Sequence, residues 1–254
     1  MLKKRIIPCL DVSDNQVVKG TQFKDLKVIS DPYTLALKYD LEGADELVLY
    51  DISASLEARA ITSTLIRRIA GALRIHLTVG GGVSDLDSVK RLFDVGADKV
   101  SLNSGVIKNP DLISLAAKRY GSQNIVGSLD VAYSRETNSY RVYTAGGRID
   151  TGLDALKWGA TMVDLGAGEL VVNSIDCDGM GSGYDLVFLE ALSKLVNVPL
   201  IASGGAGSID HFEAALRLPK VTGALAASLF HNSILSIPTL KEALIRKGFP
   251  IRCL

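Results

Sequence analysis

The chain has 254 residues and a mass of 27.1 kDa, a length that one α/β barrel fills as a single unit. Twenty-eight Lys and Arg balance 28 Asp and Glu, so there is no formal net charge, which argues against a polybasic surface of the kind that selects nucleic acid or an anionic membrane. No apolar run approaches the roughly 20 residues of a membrane span, the basic start has no leader-like apolar stretch, and Cys9, Cys177 and Cys253 form no C-x-x-C pair, so a reducing, cytoplasmic setting is expected.

Along the chain, short β-branched runs alternate with helix-patterned stretches. The runs are Arg5 to Leu10, Glu46 to Asp51, His76 to Val79, Lys99 to Asn103, Ile125 to Asp130, Glu169 to Ser174, Pro199 to Ser203 and Gly223 to Ala227. Such alternation predicts a parallel sheet, and eight runs predict a closed (β/α)8 TIM barrel over residues 1–254. Two connections are long, Val12 to Pro32 and Val131 to Thr151, and each carries Val/Tyr/Lys-rich runs that predict a small hairpin. Between strands, Ser84 is a candidate cap for a helix over Asp85 to Val95, and Ser208 for one carrying Phe212, Ala215 and Leu216.

The chain also repeats itself. Ile6-Ile-Pro-Cys-Leu-Asp11-Val matches Ile125-Val-Gly-Ser-Leu-Asp130-Val, Gly43-Ala-Asp-Glu-Leu-Val matches Gly166-Ala-Gly-Glu-Leu-Val, and Thr78-Val-Gly-Gly-Gly matches Ala202-Ser-Gly-Gly-Ala. All three matches lie about half the chain apart, which predicts two (βα)4 half-barrels, residues 1–122 and 123–254, related by a pseudo-twofold axis.

In this architecture chemistry sits at the C-terminal ends of the strands. Asp11 and Asp130 end the first and fifth strands and should face each other across the mouth, a placement suited to a general acid and base. One strand-end Asp alone could simply cap a turn; the symmetric pair favours catalysis. Gly80-Gly81-Gly82 and Gly204-Gly205-Ala206-Gly207 end strands three and seven and let backbone N–H groups approach an anion. Asn103 and Ser104 stand beside the first run, Ala227 and Ser228 beside the second, so the expected ligand is elongated with a phosphate at each end. Lys19, in Val17-Val-Lys-Gly20, could close over an anionic substrate, and Asp51, Asn173, Ser174, Asp176 and Asp178 could line the mouth. At the other end, Arg5, Glu46, Lys99 and Glu169 each open a strand. His76, His211 and His231 have no metal-ligand spacing, so no metal or cofactor is expected, and Cys9 is expected to pack outward beneath the helices.

These segments resemble the cyclase subunit of imidazole glycerol phosphate synthase, a lyase of histidine biosynthesis. The resemblance rests on Lys4-Arg-Ile-Ile-Pro-Cys-Leu-Asp-Val12, Val17-Val-Lys-Gly20, Gly43-Ala-Asp-Glu-Leu-Val48, Thr78-Val-Gly-Gly-Gly82, Gly96-Ala-Asp-Lys-Val100, Ile201-Ala-Ser-Gly-Gly-Ala-Gly207 and Gly223-Ala-Leu-Ala-Ala227, in order over nearly the whole chain. It implies that ammonia from a separate glutaminase subunit converts N′-[(5′-phosphoribulosyl)formimino]-5-aminoimidazole-4-carboxamide ribonucleotide into imidazole glycerol phosphate and aminoimidazole carboxamide ribonucleotide. It further implies that Asp11 and Asp130 are the acid/base pair and that Lys19 belongs to a loop over the substrate. Gly82, Asn103 and Ser104 are implied for one phosphate, and Asp178, Gly179, Gly205, Ala227 and Ser228 for the other, with Asp51, Asn173 and Ser203 also in the substrate site. Arg5, Glu46, Lys99 and Glu169 become an ammonia gate facing the glutaminase partner, which is expected to form a heterodimer near Asp98 and Lys99. Departures from the family's commonest pattern are Asp176-Cys-Asp-Gly-Met180, which lacks a cation and a hydroxyl beside the second phosphate site, Asn15 in a turn where Gly is frequent, and Ala145. The rival readings are the sister isomerase of the same pathway, an ammonia-using paralogue in surface-glycan biosynthesis, and a non-catalytic bisphosphate-binding barrel.

Overall fold

The computed structural model describes residues 3–21, 24–52 and 63–252. Cys253 lies outside them. The first strand, β1 (Arg5–Ser13), runs into an antiparallel hairpin of β2 (Gln16–Thr21) and β3 (Lys24–Ser30), and α1 (Pro32–Leu41) leads to β4 (Glu46–Asp51). Then come α2 (Ser63–Ala70), β5 (His76–Gly80), α3 (Leu86–Asp94), β6 (Lys99–Leu102), α4 (Ser104–Lys108) and α5 (Asp111–Tyr120). The second half repeats the order. β7 (Ile125–Ser134) carries the antiparallel β8 (Ser139–Thr144) and β9 (Ile149–Asp154), followed by α6 (Ala155–Asp164), β10 (Glu169–Ser174) and α7 (Leu186–Ser193). It ends with β11 (Leu200–Ser203), α8 (Ile209–Arg217), β12 (Val221–Ala226), α9 (Ser228–His231) and α10 (Ile237–Arg246).

Eight of the strands, β1, β4, β5, β6, β7, β10, β11 and β12, pair in parallel in that order, and β12 returns to β1 to close the barrel. Both predicted hairpins form, and both rise from the end of the barrel where β1 and β7 finish. Local chemistry repeats as well. Asp31 and Asp154 take the same extended backbone before α1 and α6, and their carboxylates accept from Thr34 N at 2.8 Å and Lys157 N at 2.9 Å.

Closure sorts side chains into two cores. On the outer face of the strands, Ile6, Leu10, Leu47, Leu49, Leu77, Val79 and Leu102 pack beneath the helices with Ile69, Val89 and Phe212. Inside the barrel, Ile7, Cys9, Val48, Val126, Val171, Ile201 and Leu225 form a separate apolar layer. Cys9 therefore points inward, contrary to the outward placement expected from sequence. Successive strand residues alternate faces, so Arg5, Ile7, Cys9 and Asp11 share the inner one.

A second correction concerns α3. Its cap is Asp85, not Ser84: Asp85 accepts from Ser88 N at 2.7 Å while Ser88 Oγ receives the Asp85 N–H at 3.2 Å. A carboxylate and a hydroxyl three residues apart close a reciprocal box that Ser84 cannot. Ser208 does stand at the cap of α8, but its side chain makes no capping bond.

Candidate active site

A cavity of about 950 Å³ opens at the C-terminal ends of the barrel strands. Asp11, Lys19, Asp51, Gly82, Asn103, Ser104, Asp130, Asn173, Asp178, Gly179, Ser203, Gly205, Ala227 and Ser228 all line it. Ser174 and Asp176 do not: Ser174 alternates away from Asn173 into the wall, and Asp176 Oδ2 instead accepts from Tyr133 N at 2.9 Å. Cys9, Tyr50, Ser101 and Ser128 also line the cavity. The signal for them was the two-residue alternation from Asp11, Glu46, Lys99 and Asp130.

The two aspartates hold different company. Asp11 Oδ2 accepts from Lys19 Nζ at 3.2 Å, and the Cys9 thiol lies 3.7 Å from Asp11 Oδ1. Lys19 reaches there from β2 and also donates to Asp178 Oδ1 at 3.3 Å. Burial alone would favour neutral Lys19, but the two carboxylates outweigh it and raise its pKa. Asp130, by contrast, is buried with no ion-pair partner among the described residues. Its Oδ2 accepts from Asn103 Nδ2 at 2.9 Å and its Oδ1 from Asn173 Nδ2 at 3.1 Å, while Ser203 Oγ donates to Asn173 Oδ1 at 3.2 Å and orients that amide. Burial lifts the Asp130 pKa above the usual carboxylate range, the two amides oppose the rise, and the nearby Asp178 and Asp11 add to it. Asp178 is raised too, by burial, against the pull of Lys19.

Two polar atoms of residues that line this cavity, Asn103 Oδ1 and Asp178 Oδ2, are buried with no hydrogen-bond partner among the described residues. Both are acceptors, and a buried acceptor without a donor is uncommon.

Glycine turns flank the pair on opposite sides. A Cβ at Gly81 would stand 2.2 Å from Asp51 O, and one at Gly204 would stand 2.6 Å from Ser174 O, with φ of +106° and +84°. Both turns therefore hug the end of the neighbouring strand in a conformation that only glycine takes freely. Beyond them α4 and α9 begin after Asn103 and Ala227, two residues with closely similar backbone (φ −131°, ψ −107° and φ −122°, ψ −79°) and no side-chain cap. The first N–H groups of such helices have no intrahelical acceptor, so each side offers backbone donors for an anion. At the second, Cys177 packs against the Gly205 turn and Met180 is exposed, so neither supplies charge. Asn15 and Ala145 both adopt positive φ, of 58° and 53°.

At the opposite end, the four strand-opening charges meet. Arg5 donates to Glu46 Oε2 at 2.7 Å and to Glu169, and Lys99 donates to Glu46 Oε2 at 3.0 Å and Glu169 Oε1 at 3.1 Å. Thr78 adds a hydrogen bond to Glu46, which sequence reading had not included. The ring closes the floor of the barrel beneath the apolar layer. Burial works against the Glu46 charge, but Lys99 and Arg5 prevail and hold its pKa below the ordinary value. The histidines lie elsewhere: His231 Nδ1 meets Tyr39 OH at 2.6 Å, and His211 Nδ1 accepts from Gly207 N at 3.1 Å.

The model of the family described as "Histidine biosynthesis protein" matches residues 5–236. Among curated relatives, the chain is 47% identical over 252 residues to "Imidazole glycerol phosphate synthase subunit HisF" of Clostridium botulinum (strain 657 / Type Ba4), covering 99% of this chain and 100% of that one. It is 46% identical to the protein of the same name from Hydrogenobaculum sp. (strain Y04AAS1), again over 99% and 100%, and 46% identical to that of Prochlorococcus marinus (strain NATL1A), over 99% of each.

Proposed function

The chain belongs to the histidine biosynthesis protein family, and from that premise and the site's geometry we infer that it is the cyclase subunit of imidazole glycerol phosphate synthase, a lyase. The observation that carries the reading is the pair Asp11 and Asp130, set at the ends of β1 and β7 in one cavity between two glycine-built anion cradles. The substrate would be N′-[(5′-phosphoribulosyl)formimino]-5-aminoimidazole-4-carboxamide ribonucleotide, whose two phosphates fit the two cradles. Ammonia adds, the imidazole closes with loss of water, and aminoimidazole carboxamide ribonucleotide leaves.

In that reaction one aspartate accepts a proton as ammonia adds or the ring closes, and the other protonates the departing nitrogen. Lys19 covers the substrate from the β2–β3 hairpin, while Asn103 and Asn173 hold Asp130 in place. Gly82 and Ser104 serve one phosphate; Gly179, Gly205, Ala227 and Ser228 serve the other. Asp51, Asp178 and Ser203 complete the substrate contacts. The half-barrels of residues 1–122 and 123–254 supply one aspartate and one cradle each.

The relatives are named as subunits of a synthase, which implies a second subunit; a glutaminase is the partner that fits, because this reading requires ammonia. It would dock on the strand-start face, near Asp98 and Lys99, and pass ammonia through the ring of Arg5, Glu46, Lys99 and Glu169. Asp98 is exposed there, its Oδ2 accepting from Leu77 N at 2.8 Å.

The test is ammonium-driven turnover by Asp11→Asn and Asp130→Asn. Each should hold KM within about tenfold while losing at least roughly 10²-fold in kcat, as expected for a missing acid or base. Near-native kcat in either variant refutes that residue's role.

A further inference from the structure

The two anion cradles are near copies in backbone, yet the charges around them differ. Arg91, the sixth residue of α3, and Lys108, the last of α4, both line the cavity on the Gly82 side. Arg91 also lines a small adjoining cavity with Gly81, Gly82 and Val83, so it borders the turn on two sides. The corresponding places in the second half hold no charge: the sixth residue of α8 is Ala214, and Asn232 stands where Lys108 does in the first.

Among the described residues, Lys19 is the remaining cation of the cavity wall, and two carboxylates, Asp11 and Asp178, already hold it. Arg91 and Lys108 are exposed. The described carboxylates on their side are engaged: Asp85 caps α3 through Ser88 N, and Asp51 is buried and partnered.

We propose that Arg91 and Lys108 form a cationic collar around the Gly82 cradle, so that this phosphate end of the substrate docks first and binds more tightly, while the Gly205 end is held by neutral backbone donors. This rests on the bisphosphate reading above. Exposed cations act over several ångströms, raise the encounter rate with an anion and are screened by salt. The collar therefore belongs to capture rather than to the chemical step.

The variant Arg91→Gln/Lys108→Gln tests it, with Lys118→Gln/Lys157→Gln as a control of equal charge change outside the cavity. In ammonium-driven turnover the collar variant should raise KM about tenfold with kcat within about twofold, and should flatten the fall of kcat/KM with added salt. The control should match the parent. Unchanged KM and salt slope in the collar variant, or equal effects in both variants, overturn the proposal. Calorimetric titration with inorganic phosphate gives a readout independent of turnover: weaker binding in the collar variant alone supports the collar even if the parent makes no imidazole product, and equal binding in all three proteins counts against it.

Discussion

Lys19 Nζ lies 3.2 Å from Asp11 Oδ2, so the hairpin over the cavity is tied by charge to one of the two strand-end aspartates. The same ammonium touches Asp178, 3.3 Å away. Removing it leaves two carboxylates facing one another with nothing between them. Lys19→Ala should lower kcat/KM by roughly 10-fold to 10²-fold, the range of a lost charged contact to substrate and neighbour. Because Lys19 opposes the burial that raises Asp178, its loss should also move the acidic limb of the pH–rate profile to higher pH. A profile unchanged in the variant would show that Lys19 does not set the state of Asp178.

Asp130 predicts a conflict between stability and function. Its folded pKa is raised, chiefly by burial. The sign follows: its contribution to stability is fully present below the unfolded pKa of about 3.9 and is lost as pH rises through the folded value. Above the unfolded value the native chain therefore carries a cost for burying this carboxyl. Asp130→Asn removes it, and Asn103, whose Oδ1 has no partner, needs only to turn its amide to meet the new N–H. Thermal melts should place this variant at or above the parent at pH 7 to 8, with the gap closing below about pH 4. A variant markedly less stable at pH 7 would contradict this.

The floor ring has the opposite sign. Arg5 bridges Glu46 and Glu169, which are almost fully buried. Arg5→Ala strips one cation from both and should cost about 3 kcal/mol or more, the usual penalty for leaving a buried charge uncompensated. Since Arg5 and Lys99 hold the Glu46 pKa low, that stability exists above the unfolded pKa and disappears as pH falls through the folded one. Denaturant titrations should therefore show a wide gap between variant and parent at pH 7 and a narrow one below about pH 4. Equal gaps at both would mean that the ring is not held by charge.

For ammonia passage, Lys99→Ala should alter glutamine-driven turnover, measured with the glutaminase subunit present, more than ammonium-driven turnover. Equal effects on both would count against an entrance at the ring.

Much of this was legible in the chain because the physics involved is local. β-Branched runs marked all eight barrel strands, and the recurrence of Ile6–Asp11 in Ile125–Asp130 announced the half-barrel repeat that Asp31 and Asp154 reproduce as helix caps. The strand-end aspartates and glycine turns were visible because a strand's end fixes where its residues go. Cys9 was misplaced because its apolar character was weighed before its register; two residues from Asp11, it had to face inward. The partners of Asp130 were less accessible. Asn103 and Asn173 were flagged as lining residues, but their convergence on one carboxylate depends on the register of β6 and β10 against β7, which no local signal carries. Arg91 and Lys108 were silent for a different reason: they sit on helices beyond the glycine turns, where a cation usually means only a solvated surface.

The central claim is the cyclase reaction, and the most direct measurement is product formation by the purified chain alone. The bisphosphate ribulosyl substrate would be incubated at alkaline pH with and without ammonium salt, following imidazole glycerol phosphate and the released carboxamide ribonucleotide. The account predicts that both appear together and only with ammonium. Tight binding of the substrate with no turnover at any ammonium concentration would contradict it and leave a bisphosphate-binding barrel without this chemistry.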